Sequence, residues 1–183
     1  DAAEEAGVDY VKFQTFKAEN LVQRDAKKAS YQIDNTDNTD NAGSQFSMLK
    51  KLELSNENHN ILIEYCKLKN VKFLSTTFDF ESMDFLKNKL EFYKIPSGEI
   101  NNLPYLIEVA KLKKEIILST GMSSLKEVKN ALKIIKKYSK KNKITVLHCT
   151  TQYPAPFKDL NLNVIKTLRK ELKCDIGYSD HSP

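Results

Sequence analysis

Two lysines lie inside apolar segments that have the composition of β-strands. Lys12 is in VKFQTF, and Lys94 is in FYKIPSGE, where Ser97 follows at the end of the strand. A desolvated ammonium group is costly unless an anion accompanies it. Two such lysines at one site, with the hydroxyls of Thr76 and Ser97 and the backbone around Gly98, would bind a doubly anionic phosphate or carboxylate group. The pattern is also compatible with lysines that reach solvent and hydroxyls that end strands.

The three histidines differ in their sequence surroundings. His181 follows Ser179 and Asp180, which could orient its ring or a water bound to it, so His181 is a candidate metal ligand or acid–base group. One histidine does not make a metal site, and no HxxxH-type pair is present. His148 has apolar neighbours and is predicted to be buried and hydrogen-bonded. His59 lies in a polar helical segment and is predicted at the surface.

Two further side chains stand next to predicted strand ends. Tyr153 begins the sequence YPAP, in which two prolines make a stiff, extended turn. Such a turn would hold Tyr153 over the site, or it would simply pack. Glu99 supplies a carboxylate in the PSGE turn that precedes a helix.

Strand and helix patterns alternate along the chain. Strands are predicted at 10–15, 71–77, 92–96, 115–120, 143–150 and 174–180. Helices are predicted at 1–7, with Gly7 as its C-cap, and at 55–69, 80–89, 103–113, 123–139 and 162–172. Residues 17–55 are polar and weakly periodic, and 34–44 have the composition of a mobile loop. Alternation at about 25–35 residues predicts right-handed βαβ units and a parallel sheet.

Polar residues cluster at the carboxyl end of every predicted strand. In a (β/α)8 TIM barrel these ends form one face and share one site, whereas a doubly wound sheet concentrates its chemistry at a switch point. Six polar strand ends favour an α/β fold of the barrel type, and the barrel is incomplete because the chain starts and ends within the pattern. Neither GxGxxG nor GxxxxGK[ST] occurs, which weakens a nucleotide-binding alternative.

Composition narrows the functional class. The chain has 183 residues, a net charge of +5 and three cysteines without CxxC spacing. Its lysines lie on helical segments without interleaved aromatics, which indicates a solvated surface rather than a nucleic-acid groove. Reduced thiols, no secretion signal and no apolar run of about 20 residues favour a cytoplasmic protein that does not enter a membrane. The chain lacks an initiator Met and opens inside a helical pattern, so we expect a fragment.

Six motifs, in order and at matching spacing, resemble the barrel domain of the sialic acid synthase family, which includes N-acetylneuraminate, legionaminate and pseudaminate synthases. The motifs are VKFQTF, FLSTTFD, KIPSGEINN, ILSTGMSSLKEV, VLHCTTQYPAP and IGYSDHS. The resemblance implies condensation of phosphoenolpyruvate with an N-acetylated amino sugar, either N-acetylmannosamine or a 2,4-diacetamido-trideoxyhexose. The product is a nonulosonic acid, and phosphate leaves by C–O cleavage. A divalent metal, Mn²⁺ or Mg²⁺, is implied as the group that polarises the sugar aldehyde.

The resemblance also implies roles for individual residues. The positions matching those that hold phosphoenolpyruvate are Lys12, Thr76, Lys94, Ser97 and Ser179. Gln14 and Tyr153 match positions near the sugar, Glu99 matches a site-lining carboxylate, and His181 matches one of two metal histidines. Thr151, a candidate phosphate contact, stands where some family members carry Asn. Lys12, Lys94 and Glu99 are the candidate catalytic residues.

The resemblance further implies parts that these residues do not contain. They are a first strand with a catalytic Glu, an eighth strand with the second metal His, and a C-terminal antifreeze-like domain that takes part in a domain-swapped homodimer. Residues 1–183 are thus expected to be one partial TIM-barrel catalytic domain.

Two other functions stay open at this stage. A strand lysine such as Lys94 is the usual nucleophile of Schiff-base aldolases on barrel folds. A non-catalytic, carbohydrate-binding barrel would bind sugar regardless of metal or phosphoenolpyruvate. The motifs do not distinguish between amino sugars.

Overall fold

The structure is a computed structural model that describes residues 1–29, 32–33 and 43–183. The chain divides into two compact units, Asp1–Leu90 and Glu91–Pro183, and each is described by itself. Both are α/β units in which every strand pair of the described residues is parallel. Most of the predicted loop at 34–44 lies outside the described residues.

The first unit pairs two strands and surrounds them with helices. Its elements are α1 (Ala2–Glu5), β1 (Tyr10–Thr15), α2 (Ala18–Leu21), α3 (Gln45–Lys51), α4 (Asn56–Leu68), β2 (Lys72–Thr77) and α5 (Phe80–Leu86). The register runs from Tyr10 opposite Lys72 to Thr15 opposite Thr77. Helices α2 and α3 fall within the polar segment for which the sequence predicted no element.

Local signals end and begin these helices as the sequence predicts. Gly7 follows α1 with φ of 67°, a conformation that glycine adopts without steric cost. Ser55 caps α4, since its hydroxyl accepts the N–H of Asn58 at 3.1 Å.

The second unit is a four-stranded parallel sheet in the order β3-β4-β5-β6. Its elements are β3 (Phe92–Ile95), a 3-10 turn (Ser97–Glu99), α6 (Leu103–Lys111), β4 (Glu115–Ser119), α7 (Leu125–Tyr138), β5 (Ile144–Cys149), a second 3-10 turn (Phe157–Asp159), α8 (Asn163–Glu171) and β6 (Asp175–Ser179). These bounds agree with the predicted strands and helices to within a few residues. The strict strand–helix alternation confirms the predicted parallel α/β fold.

The two faces of the second sheet differ in burial. Tyr93, Ile95, Ile116 and Leu118 alternate along β3 and β4 and are all fully buried. On the opposite face, Phe92, Lys94, Glu115 and Ile117 are only partly buried, while Ser119 at the end of β4 is buried. Since side chains of a strand alternate between faces, the lysine is held on the more open side of a sheet whose other side is core.

His59 was predicted at the surface, and this prediction was wrong. The residue is 1% exposed, and its ring lies edge-on to Phe73 and Phe85 at centroid distances of 6.5 and 5.5 Å. A polar side chain takes this inward position on α4 because both ring nitrogens find hydrogen-bond partners there.

The sequence also led us to expect reduced cysteines and no membrane-spanning helix. The three cysteines, Cys66, Cys149 and Cys174, are not joined by disulfide bonds in the structure. None of the helices described is long and apolar enough to cross a membrane.

Candidate functional site

In the first unit, the candidate residues Lys12, Gln14 and Thr76 lie on one face of the strand pair. Lys12 and Gln14 are two positions apart on β1 and are exposed, and Gln14 is opposite Thr76 of β2. Neighbouring protein atoms partly desolvate the Lys12 ammonium and lower its pKa, although the residue as a whole is exposed. A bound anion would oppose this shift, because it favours the charged form of the lysine.

In the second unit, Lys94 is directed along the sheet toward the next strand. Its Nζ donates to the Ser119 hydroxyl at 2.5 Å and to the Ile95 carbonyl at 3.2 Å. Ser119 is only 4% exposed, so the ammonium is anchored at a defined place near the ends of β3 and β4. A lysine held this way presents a preorganised positive charge.

Ser97, Gly121, Cys149 and Thr151 meet beyond the ends of β3, β4 and β5, and we call these four residues the hydroxyl cradle. The Gly121 N–H donates to Ser97 Oγ at 2.9 Å, and Cys149 Sγ lies 3.3 Å from the same oxygen. A Cβ at Gly121 would collide with Thr151 Oγ1 and would lie 2.9 Å from Ser97 Oγ. The cradle can close only because residue 121 has no side chain.

The Thr151 hydroxyl has an unusual environment. Within the described part of the chain, its Oγ1 is one of two buried side-chain polar atoms that find no hydrogen-bond partner; the other is Asn142 Oδ1. A buried hydroxyl without a partner is costly, and a ligand acceptor would remove that cost. The cradle therefore contains a donor suited to an anion.

The candidate metal ligand His181 is oriented by the backbone. Its Nδ1 donates to the Thr150 carbonyl at 3.1 Å, and its Nε2 lies 3.5 Å from Ser179 Oγ. The Tyr153 ring packs against the imidazole, with centroids 4.5 Å apart. In the neutral ring, a proton on Nδ1 leaves a lone pair on Nε2, and Nε2 can then coordinate a metal ion.

The Asp180 carboxylate makes no hydrogen bond to the His181 imidazole, although the sequence suggested that it could orient the ring. Its Oδ1 accepts from the Tyr178 hydroxyl at 3.1 Å and from the Ser182 N–H at 2.9 Å. The bond from the Ser182 backbone is the main cause that lowers the pKa of Asp180. Burial, followed by the hydrogen bond to Asp180, raises the pKa of Tyr178. The carboxylate therefore stabilises the loop that carries His181.

Glu99 and His148 have local partners. Glu99 Oε2 accepts from the Asn102 side chain at 2.6 Å within the turn before α6. His148 is buried, as predicted, and its Nε2 lies 2.7 Å from the Leu160 carbonyl. Neither hydrogen bond indicates a catalytic role for Glu99 or His148.

A metal site requires several donor side chains close together. Among the described residues, no group of three or more His, Cys, Asp or Glu side chains is arranged to hold a metal ion. His181 Nε2 fits as one ligand, but a divalent cation requires several well-placed donors. The described residues do not by themselves form a complete metal site.

Ser119 and Gly121 were not singled out as site residues from the sequence. Lys94 is paired with Ile117, so Ser119, two positions farther, lies on the same face as the lysine. The sequence signal was the polar STG triplet after β4, but its meaning depends on a strand register that the sequence does not contain.

A family model and known proteins match the chain. The model of the NeuB family matches residues 1–183. The chain belongs to the NeuB family. This agrees with the sialic acid synthase resemblance of the six sequence motifs.

Similar proteins include two curated enzymes. The chain is 50% identical to the N,N'-diacetyllegionaminic acid synthase of Campylobacter jejuni, over 100% of this chain and 54% of that protein. It is 45% identical to the Legionella pneumophila protein of the same name, over 99% of this chain and 51% of that protein. The chain thus spans about half the length of these two relatives.

A solved structure has a similar fold. The crystal structure of N-acetylneuraminic acid synthetase from Leptospira borgpetersenii, in complex with citrate, matches with a TM-score of 0.81 and 31% identity. The match covers 98% of this chain and 57% of that one.

Proposed function

We propose that the complete protein containing this chain condenses phosphoenolpyruvate with an N-acetylated amino sugar to give a nonulosonic acid. Carbon 3 of phosphoenolpyruvate forms a C–C bond with the aldehyde carbon of the open-chain sugar. Water adds at carbon 2, the C–O bond to the phosphate breaks, and inorganic phosphate leaves. Family membership and the names of the two synthases support this reaction.

The hydroxyl cradle together with Lys94 is the observation that carries the proposal. The site gathers a fixed ammonium, the Ser97 hydroxyl and a buried Thr151 hydroxyl that has no protein acceptor. This donor set suits the phosphate or carboxylate of phosphoenolpyruvate, because an ammonium and two hydroxyls can all donate to anionic oxygens. Ser97 Oγ accepts from the Gly121 N–H, and its own proton can be donated to a ligand when the Cys149 thiol acts as the donor in the Ser97–Cys149 contact.

We assign the other candidates by the same chemistry. Lys12 and Thr76 of the first unit, and Ser179 of the second, are proposed contacts of phosphoenolpyruvate. Gln14 and Tyr153 are proposed contacts of the amino sugar. Glu99 is proposed as a carboxylate that lines the site, although its bond to Asn102 must then rearrange or be shared.

A divalent metal, Mn²⁺ or Mg²⁺, is proposed as the cofactor of the complete protein, with His181 Nε2 as one ligand. Such a metal would supply polarisation of the sugar aldehyde. The backbone bond at Nδ1 supports this assignment, because it holds the ring in the tautomer that coordinates through Nε2.

Further proposals concern the setting of the reaction. We propose a (β/α)8 barrel of which residues 1–183 supply about strands 2 to 7, supported by the parallel strand–helix alternation and by the structural match. We further propose that the complete protein is cytoplasmic and forms a domain-swapped homodimer through a C-terminal antifreeze-like domain that residues 1–183 do not include. We propose that it binds neither nucleic acid nor membranes.

The deciding assay combines the complete protein with phosphoenolpyruvate, Mn²⁺ and either N-acetylmannosamine or a 2,4-diacetamido-trideoxyhexose. We expect phosphate release that depends on one of the sugars. With ¹⁸O in the bridging position of phosphoenolpyruvate, C–O cleavage leaves the label in the phosphate. Phosphate without label, or release that is independent of sugar, would contradict the proposal.

A further inference from the structure

A buried chain of three polar side chains connects α4 to the strand pair of the first unit. Thr15 Oγ1 lies 2.7 Å from His59 Nε2 and 2.7 Å from Ser75 Oγ, and His59 Nδ1 lies 2.7 Å from the Ser55 carbonyl. We call Ser75, Thr15 and His59 the buried relay. All three are buried, and none is among the candidate substrate contacts.

One carbonyl determines the direction of every bond in the relay. The Ser55 oxygen can only accept, so His59 Nδ1 carries a proton, and Nε2 of the neutral ring must accept. Thr15 then donates its single hydroxyl proton to Nε2. Ser75 must donate to Thr15, because the Thr15 proton is already used.

The relay lies directly behind two proposed substrate contacts. Thr15 follows Gln14, and Ser75 precedes Thr76, while Gln14 and Thr76 are register partners. Because side chains alternate between faces, Thr15 and Ser75 are on one face of the strand pair and Gln14 and Thr76 are on the other. Hydrogen bonds that hold Thr15 and Ser75 in place therefore also hold the backbone that positions Gln14 and Thr76.

We propose that His59 is a positioning residue for the reaction, acting through Thr15 and Ser75 on Gln14 and Thr76. This inference rests on the proposed function. β1 ends at Thr15, where the Thr15 carbonyl still accepts a backbone hydrogen bond from the Phe78 N–H at 3.2 Å. The relay adds three directed hydrogen bonds at this strand end, where local opening is easiest.

The test compares the complete wild-type protein with Thr15→Val, which keeps the side-chain shape but removes the hydroxyl, and with Thr15→Ser, which keeps the hydroxyl. For Thr15→Val we expect the KM of both substrates to rise about tenfold and kcat to stay within about twofold. Thr15→Ser should restore both KM values to within about threefold of wild type. Ser124→Ala, which removes a helix cap in the second unit, is the control for lost stability alone.

The outcomes separate this inference from the proposed function. A wild-type protein without condensation activity would overturn the proposed function. An active wild type whose Thr15→Val variant keeps both KM values would overturn only the positioning role of His59. If Thr15→Val does not fold, Ser75→Ala replaces it; a KM for phosphoenolpyruvate that matches wild type there would count against the inference.

A measurement independent of activity tests the bond directions. In ¹H–¹⁵N spectra of the imidazoles, with the His59 signals assigned from their loss in His59→Gln, we expect the proton on Nδ1. A proton on Nε2 would contradict the relay.

Discussion

Gly121→Ala tests whether the hydroxyl cradle must stay open. The added methyl would collide with Thr151 Oγ1 and would lie 2.9 Å from Ser97 Oγ and 3.2 Å from Cys149 Sγ. Ser97 and Cys149 are held by hydrogen bonds, and the contact with Thr151 Oγ1 is too close to persist, so at least one hydroxyl must move. Overpacking of this kind costs about 1–3 kcal/mol of folding free energy.

The expected loss of activity follows from the displaced donor. A hydrogen bond to a charged ligand group contributes about 1.5–3 kcal/mol. That range converts to a decrease of about 10- to 150-fold in kcat/KM for phosphoenolpyruvate. The KM for the amino sugar should change less, because the cradle is assigned to the anion.

Gly98→Ala is the matched control. Gly98 lies beside Ser97, but a Cβ there would meet no heavy atom within 4 Å outside residues 97–99. We expect its kinetics and thermal unfolding to resemble those of wild type. Adding Thr151→Ala to Gly121→Ala should recover part of the lost stability, because it removes the colliding oxygen. Equal kinetics and equal unfolding for Gly121→Ala and Gly98→Ala would refute the cradle.

Three other variants or treatments test the remaining assignments. Lys94→Met should lower kcat/KM for phosphoenolpyruvate by an amount equivalent to about 2–4 kcal/mol of transition-state stabilisation. Lys111→Met, which removes an exposed lysine paired with Glu108, should leave kcat/KM unchanged. Equal kinetics for the two variants would show that Lys94 is not part of the site. His181→Ala should reduce bound manganese, measured by elemental analysis, together with the rate; a variant that keeps both would show that His181 is not a ligand. Borohydride with pyruvate should leave the protein mass unchanged, and an adduct at a lysine would instead favour the Schiff-base aldolase.

The sequence was sufficient to predict the elements and their order, because those features depend on neighbouring residues. Apolar strands, amphipathic helices and capping residues such as Ser55 and Gly7 act within a few positions, and each is found in the structure. The six motifs were likewise sufficient to predict the family, since their order and spacing are properties of the chain itself.

Other features required contacts between residues far apart in the chain. The bond from Lys94 to Ser119 crosses 25 positions, and the bond from Thr15 to His59 crosses 44. Strand register decides which side chains meet across such distances, and the sequence pattern limits register without determining it. His59 illustrates the consequence: its polar neighbours indicated the surface, but a carbonyl and a threonine hydroxyl supplied partners that made burial favourable.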